Sequence, residues 1–223
     1  MSATVVGKER PPRRPDLLRW VGLICIAAGL ALLAEFAVGM WQGYSEQQSL
    51  DRAWQAQMRL HPAPPAAAAG TQGVDATLKQ PVDGIDFQIQ VPKLGYSAAV
   101  REGVDSTILY SGPGHYPETP WPGDSGMVGV AAHNVYWINF PELQPGDQVI
   151  LQTRYGNYVY SVTGSKIVSP DDRTVLLPSS PGYHLTLTTC WPTWAGAFAT
   201  QRYIVFTNQV SPAPPSDQSS RSG

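Results

Sequence analysis

Residues 17–40, LLRWVGLICIAAGLALLAEFAVGM, are an almost uninterrupted apolar run, and no other stretch restricts the fold of this chain as strongly. As a helix rising about 1.5 Å per residue the run covers roughly 36 Å, enough to cross a hydrocarbon core of about 30 Å. Its interior charges are Arg19, placed to snorkel at the entry, and Glu35, near the far end where a charge is less unfavourable than at the centre. Trp20 and Trp41 bracket it as interfacial anchors. The run therefore predicts one transmembrane helix over 17–40. A cleaved signal peptide with a small-residue site at Ala31–Ala34 is the competing reading, but the run is long and resumes after Glu35, which favours an uncleaved anchor.

Charge sets the expected orientation. Lys8, Arg10, Arg13, Arg14 and Arg19 against Glu9 and Asp16 leave +3 on the N-terminal side, which the positive-inside rule places in the cytoplasm. The remainder carries −5 and is expected outside the cell. Residues 1–16 are then a cytoplasmic segment. Residues 41–81 divide into a juxtamembrane helix, with Leu50, Trp54 and Met58 spaced by four on one face of a stalk, and a spacer containing PAPPAAAAG. Residues 211–223, SPAPPSDQSSRSG, have the composition of a disordered tail. What is left, 82–210, is a folded domain of about 130 residues that has to carry the function.

Inside that domain the apolar period is two. Ile85, Phe87, Ile89 and Val91 alternate with Asp86, Gln88 and Gln90, which predicts a half-buried strand. Further strands are expected over 98–101, 126–132, 148–153, 158–168, 184–190 and 201–207, with a hairpin turn at Tyr155-Gly156-Asn157 and short helical turns over 106–110 and 138–143. The 21 glycines and 21 prolines punctuate many short strands and argue for a mainly β fold, a closed or nearly closed barrel, rather than a helical bundle. A net charge of −2 gives no support for nucleic-acid binding, and no P-loop, dinucleotide fingerprint or zinc spacing occurs.

The two cysteines have different settings. Cys25 lies in the apolar run, whereas Cys190 ends the strand HLTLTTC on the face shared with Thr186 and Thr188, just before Trp191-Pro192. They are not expected to pair. A free thiol at a strand end beside a loop is a candidate nucleophile, and a buried structural cysteine is the alternative. A nucleophilic thiol needs a base. His61 falls in the spacer, and His184 begins the Cys190 strand roughly 20 Å away. His133 ends an apolar strand as Cys190 ends its own, so adjacent strands would bring the two to one rim. His115, in GPGHYP, reads as structural or as a cleft wall. Arg202, which opens the last strand, is the natural cation beside a thiolate or an oxyanion, or else a surface arginine.

TLTTC (Thr186–Cys190) followed by RYIVF (Arg202–Phe206) resembles the sortase signature, and IQVPKLG, GPGHYPETPWPGDSG, AAHN and FPELQPGDQV fall upstream in the family's order. The resemblance spans essentially 82–210, and the anchor and linker also match the family's arrangement. It implies a closed eight-stranded sortase-type β-barrel with short helices, behind one transmembrane helix. It implies Cys190 as nucleophile, His133 as general acid/base, Arg202 as the oxyanion-stabilising, substrate-binding cation, and Thr189 as a substrate-positioning neighbour. The implied reaction cleaves an LPxTG-type sorting signal through a thioester and transfers the acyl group to an amine of peptidoglycan or a pilin. No cofactor and no metal are expected, since Glu118, Asp124, Asp171 and Asp172 read as solvated loop acids.

The family's usual Gly-His-Arg is Ala132-His133-Asn134 here. There is no Asp-Pro-aromatic lid, and the loop 191–200, with two tryptophans, resembles class D and class E members most, as in housekeeping-type anchoring. Two other functions stay in view: a cell-wall cysteine peptidase of another kind, and a non-catalytic wall-binding barrel. Papain-like enzymes place Cys at a helix start before His, and L,D-transpeptidases carry a Ser/Thr-His-Gly-Cys run. Neither pattern occurs here.

Overall fold

A computed structural model describes residues 17–62 and 74–214, without the Arg173 side chain. The expected cytoplasmic segment, most of the Pro/Ala-rich spacer and most of the tail lie outside the described residues. The chain divides into two compact units, Met1–Trp41 and Gln42–Gly223. In the first, residues 17–41 are helical, with Leu18, Leu23, Ile24, Leu33 and Phe36 exposed. Such a surface is unfavourable in water and suits a hydrocarbon environment, where a helix satisfies its own backbone. The helix α1 is Leu17–Leu60 as a whole, and it is long and apolar enough to cross a membrane.

The second unit is an eight-stranded closed barrel. Its strands are β1 (Ile85–Val91), β2 (Tyr96–Glu102), β3 (Gly114–His115), β4 (Gly126–Ala131), β5 (Gln148–Thr153), β6 (Gly156–Val168), β7 (Tyr183–Trp191) and β8 (Gln201–Ser211), in the order β1-β2-β3-β4-β7-β8-β6-β5. The short helices are α2 (Ser106–Leu109), capped by the Asp105 carboxylate, and 3-10 turns such as Phe140–Glu142. Interior residues Phe87, Ile89, Val128, Val130, Leu151, Tyr160, Leu185, Leu187 and Val205 form the core. At roughly 25 cal/mol per Å² of apolar surface removed from water, this burial is the main favourable contribution to folding.

The strand expectations are close to what is seen, with three instructive differences. First, β3 is only two residues long, too short to leave a periodicity in the sequence. Second, the β5–β6 turn is Arg154-Tyr155, closed by the Thr153–Gly156 pair, one step ahead of the expected Tyr155-Gly156-Asn157. Tertiary contact fixes that register: Tyr155 is buried and its hydroxyl donates to the Pro122 carbonyl at 2.9 Å. Third, β1 is not half-buried. Asp86 is 1% exposed at a bulge in the β1–β2 pairing, bonded to His115 at 2.8 Å, and Gln88 is 4% exposed on an outer face that is covered as well.

The cover is the segment 42–60 of α1, read from sequence as a stalk. Its stripe is real, but it faces the barrel: Trp54 is fully buried, and Leu50, Ala53 and Met58 pack against the same core. The Trp54 indole N–H donates to Gln152 at 3.0 Å. Because β3 pairs only with Arg101 and Glu102, the edge groups of Ala99 in β2 have no strand partner there. The helix supplies one: the Ala99 N–H donates to the Asp51 carboxylate at 2.6 Å, and Gln47 donates to the Ala99 carbonyl at 3.2 Å. Two side chains thus stand in for a missing strand and leave no bare edge. Residues 74–81 also join the barrel, since Arg154 donates to the carbonyls of Leu78 and Gln80.

Candidate active site

The site is built where β4, β7 and β8 end together. β4 and β7 are parallel, with Ala131 beside Thr188, and the Ala132 N–H donates to the Thr188 carbonyl at 3.1 Å. His133 follows Ala132, two positions past the end of β4. β7 and β8 are antiparallel, with Cys190 directly opposite Arg202. One strand end therefore carries the imidazole, its neighbour the thiol and the third the guanidinium.

Thr189 points to the other face of β7. It is 3% exposed, and its hydroxyl donates to the Ala132 carbonyl at 2.9 Å. This bond holds the strand leading to His133 against the strand leading to Cys190. Cys190 is partly exposed and free. His133 is half-buried, and burial first, the Arg202 charge second, lower its pKa from the ordinary imidazole value, so the ring is neutral at pH 7. Arg202 donates to the Gln201 carbonyl at 3.2 Å and forms no ion pair with a carboxylate among the described residues. Its charge is thereby left for a ligand.

A cavity of about 290 Å³ is lined by Arg202 and Thr188 of the site strands together with Tyr116, Val175 and the carboxylates Glu118 and Asp172. Sequence reasoning does not single out Tyr116. Its phenol lies among Thr188, Arg202 and Cys190, and burial raises its pKa, so it remains a neutral hydrogen-bonding group. It follows His115 in a Gly/Pro loop with no local signal of function. What seats it is Gly129 in β4, where an added Cβ would come 2.9 Å from the Tyr116 ring.

The other histidines stand apart. His115 is 1% exposed, with Nδ1 2.8 Å from Asp86 and Nε2 3.1 Å from the Thr119 hydroxyl, which is the structural setting expected for it. His184 bonds to Asn208 and to the Pro181 carbonyl at the opposite end of β7. Two of the four loop acids have partners: Asp124 pairs with Lys79 at 2.5 Å, and Asp172 accepts from the Thr174 backbone N–H at 3.0 Å. Asn134, where the family has arginine, is 5% exposed and donates to the Gly196 carbonyl at 3.3 Å. It ties the loop after His133 to the loop joining Cys190 and Arg202.

Closed barrels with a thiol, an imidazole and a guanidinium on neighbouring strand ends form a recognisable class of cysteine enzyme. Comparison with known proteins makes the assignment specific. A sortase domain matches residues 89–210. Sortase D of Bacillus subtilis is 28% identical over 203 residues, covering 86% of this chain and 98% of that protein. Sortase SrtE1 of Streptomyces coelicolor is 30% identical over 188 residues, covering 72% of this chain and 52% of that protein. Among solved structures, a Clostridium perfringens sortase D5 transpeptidase superimposes with a TM-score of 0.54 at 27% identity, covering 60% of this chain and 85% of that one. Sortase E from Streptomyces avermitilis gives 0.52 at 29% identity, covering 59% of this chain and 91% of that one. The chain belongs to the sortase family, with a class D/E pattern, and is a cysteine transpeptidase.

Proposed function

We propose that this sortase uses Cys190 as nucleophile, His133 as general acid/base and Arg202 as the cation that binds substrate and stabilises the oxyanion. The observation that carries this reading is the pairing of Cys190 with Arg202 across β7–β8 beside the strand that delivers His133. In the first step the neutral His133 takes the Cys190 thiol proton and becomes the imidazolium, the sulfur attacks the carbonyl carbon of the Thr in an LPxTG-like signal, and negative charge develops on the carbonyl oxygen near Arg202. The Thr–Gly bond then breaks, a thioester remains on Cys190, and the imidazolium gives its proton to the departing amine. In the second step an amine of a peptidoglycan precursor or a pilin attacks the thioester. His133 takes its proton and the thiolate leaves.

Thr189 contributes by holding Ala132 and hence the register of His133 relative to Cys190. Residues 17–40 serve as the membrane anchor, with 1–16 cytoplasmic and the barrel outside, as the charge asymmetry suggests. The domain assignment is 41–81 as connecting segment, 82–210 as catalytic barrel and 211–223 as tail, with 42–60 built into the barrel's packing.

The test is mass spectrometry of the protein after incubation with a sorting-signal peptide. The wild type should gain the mass of the acyl fragment and lose it on adding an amine acceptor, whereas Cys190→Ala should gain nothing. Unchanged acyl-enzyme yield in Cys190→Ala would refute the assignment.

A further inference from the structure

The two loops that frame the site are uncharged and apolar at their tips. Residues 134–141, NVYWINFP, and 191–201, WPTWAGAFATQ, contain no Asp, Glu, Lys or Arg. They expose Val135 at 47%, Ile138 at 52%, Trp194 at 80% and Phe198 at 88%. The arrangement is built rather than loose. Trp137 is fully buried and stacked on Phe140 with ring centroids 4.2 Å apart, so the first loop is pinned from within while Val135 and Ile138 face outward. The Asn134–Gly196 hydrogen bond couples it to the second loop. Four large apolar side chains on two coupled, charge-free loops make a surface that needs a partner.

The chain itself indicates which partner. Gly43 packs so closely on this side of the barrel that a Cβ there would lie 2.7 Å from the Tyr110 carbonyl oxygen and 2.9 Å from the Tyr136 hydroxyl. Tyr136 belongs to the same loop as Val135 and Ile138, and its hydroxyl donates to the Tyr110 carbonyl at 2.5 Å. Residue 40, the last of the proposed membrane span, precedes Gly43 by three positions, so chain continuity keeps it within roughly 11 Å of that contact. On the reading of 17–40 as a span, the loop bonded through Tyr136 is therefore only a few residues of chain from the point where the span ends.

We propose that Val135, Ile138, Trp194 and Phe198 form a lipid-facing rim that seats the Cys190 end of the barrel on the outer surface of the bilayer. This rests on the reading of 17–40 as a membrane anchor. Aromatic and aliphatic tips without basic residues enter the interface by apolar burial rather than by attraction to anionic lipid. The contact should therefore be indifferent to lipid charge and to salt. Its consequence is positional: the thiol is held close to the bilayer surface.

The test uses the whole chain carrying Cys25→Ser and Cys190→Ala, with one fluorophore-labelled cysteine at Val135→Cys, Phe198→Cys, Asn157→Cys or Leu33→Cys, reconstituted in phosphatidylcholine vesicles containing nitroxide lipid. Asn157 is exposed at the far end of β6 from the Arg202 pairing and serves as the aqueous reference. The labels at 135 and 198 should be quenched several-fold more than the label at 157, equally with added phosphatidylglycerol and at high salt. If the label at 33 is quenched while those at 135 and 198 match 157, the rim proposal is overturned and the anchor stands. If the label at 33 is not quenched, the anchor reading fails and the rim proposal with it. Shielding of 135 and 198 from an aqueous quencher without quenching by lipid would indicate a second copy of the chain on this surface and would also overturn the proposal.

Discussion

Where residues 42–60 lie against the barrel, it is closed on both faces: Gln88 is buried and Trp54 is fully enclosed, while the spare edge of Ala99 is bonded to Asp51 and Gln47. Where β4, β7 and β8 end, the same barrel is open. Cys190 and His133 are partly exposed, and Arg202 has no carboxylate partner among the described residues and lines a cavity. One side is completed by the chain's own helix and the other is left for a ligand to complete. The two should therefore answer differently to substitution. Changes on the covered side should alter stability with little effect on the chemistry of the folded enzyme, and changes at the rim should do the reverse.

Complete loss of acyl-enzyme in Cys190→Ala is the largest effect expected, with little change in the denaturant midpoint. Arg202→Gln comes next. Removing a cation aimed at a developing oxyanion should lower kcat/KM by about 10²–10³-fold, measured as peptide cleavage under conditions where both forms are folded. A drop explained by unfolding would break the distinction between the two sides. On the covered side, Trp54→Ala removes a fully buried indole and should destabilise by about 3–5 kcal/mol, seen as a lower midpoint in urea with near-normal turnover of the folded fraction. Asp51→Ala leaves the Ala99 N–H without a partner and should destabilise by about 1–3 kcal/mol. If either helix substitution left stability unchanged, residues 42–60 would be a stalk after all.

The smallest effect sharpens the electrostatics of the rim. His133 has its pKa lowered from 6.5 by burial and by the Arg202 charge, so protonation is resisted in the folded state. Folding stability attributable to this group should fall as pH drops from 6.5 toward the folded value, because the unfolded chain takes up the proton first. In Arg202→Gln one lowering cause is gone while burial remains. The His133 titration, followed by NMR in a Cys190→Ala background, should then move upward but stay below 6.5. No movement would mean that the guanidinium does not act on the imidazole.

Much of the barrel is readable in the sequence because strand alternation is a local property: β1 and β5 coincide with the expected spans, and β7 and β8 differ only at their ends. Cys190 and Arg202 are legible because each ends or begins a clear strand, and the ordered motifs supply the roles. Tyr116 and Asn134 carry no such signal, because what gives each its place is a partner distant in sequence: Gly129 beneath the Tyr116 ring, and the Gly196 carbonyl across the loops. The covered face of β1 escapes a sequence reading for the same reason. Alternation reports the face that points into the barrel and says nothing of a helix that covers the other one.

By itself the amino-acid order determined a long apolar helix, a barrel of short strands, and a cysteine, a histidine and an arginine at strand ends, because hydrophobic period, turn residues and strand termini are written within a few residues of one another. Only the tertiary structure decided that the segment after the apolar run is part of the barrel's core, that Thr189 holds two strands together, and that Asn134 joins the loop after His133 to the loop after Cys190. Those outcomes depend on which strands become neighbours. Such neighbours are brought together by closure of the barrel, whose contacts join residues separated by tens of positions in the chain.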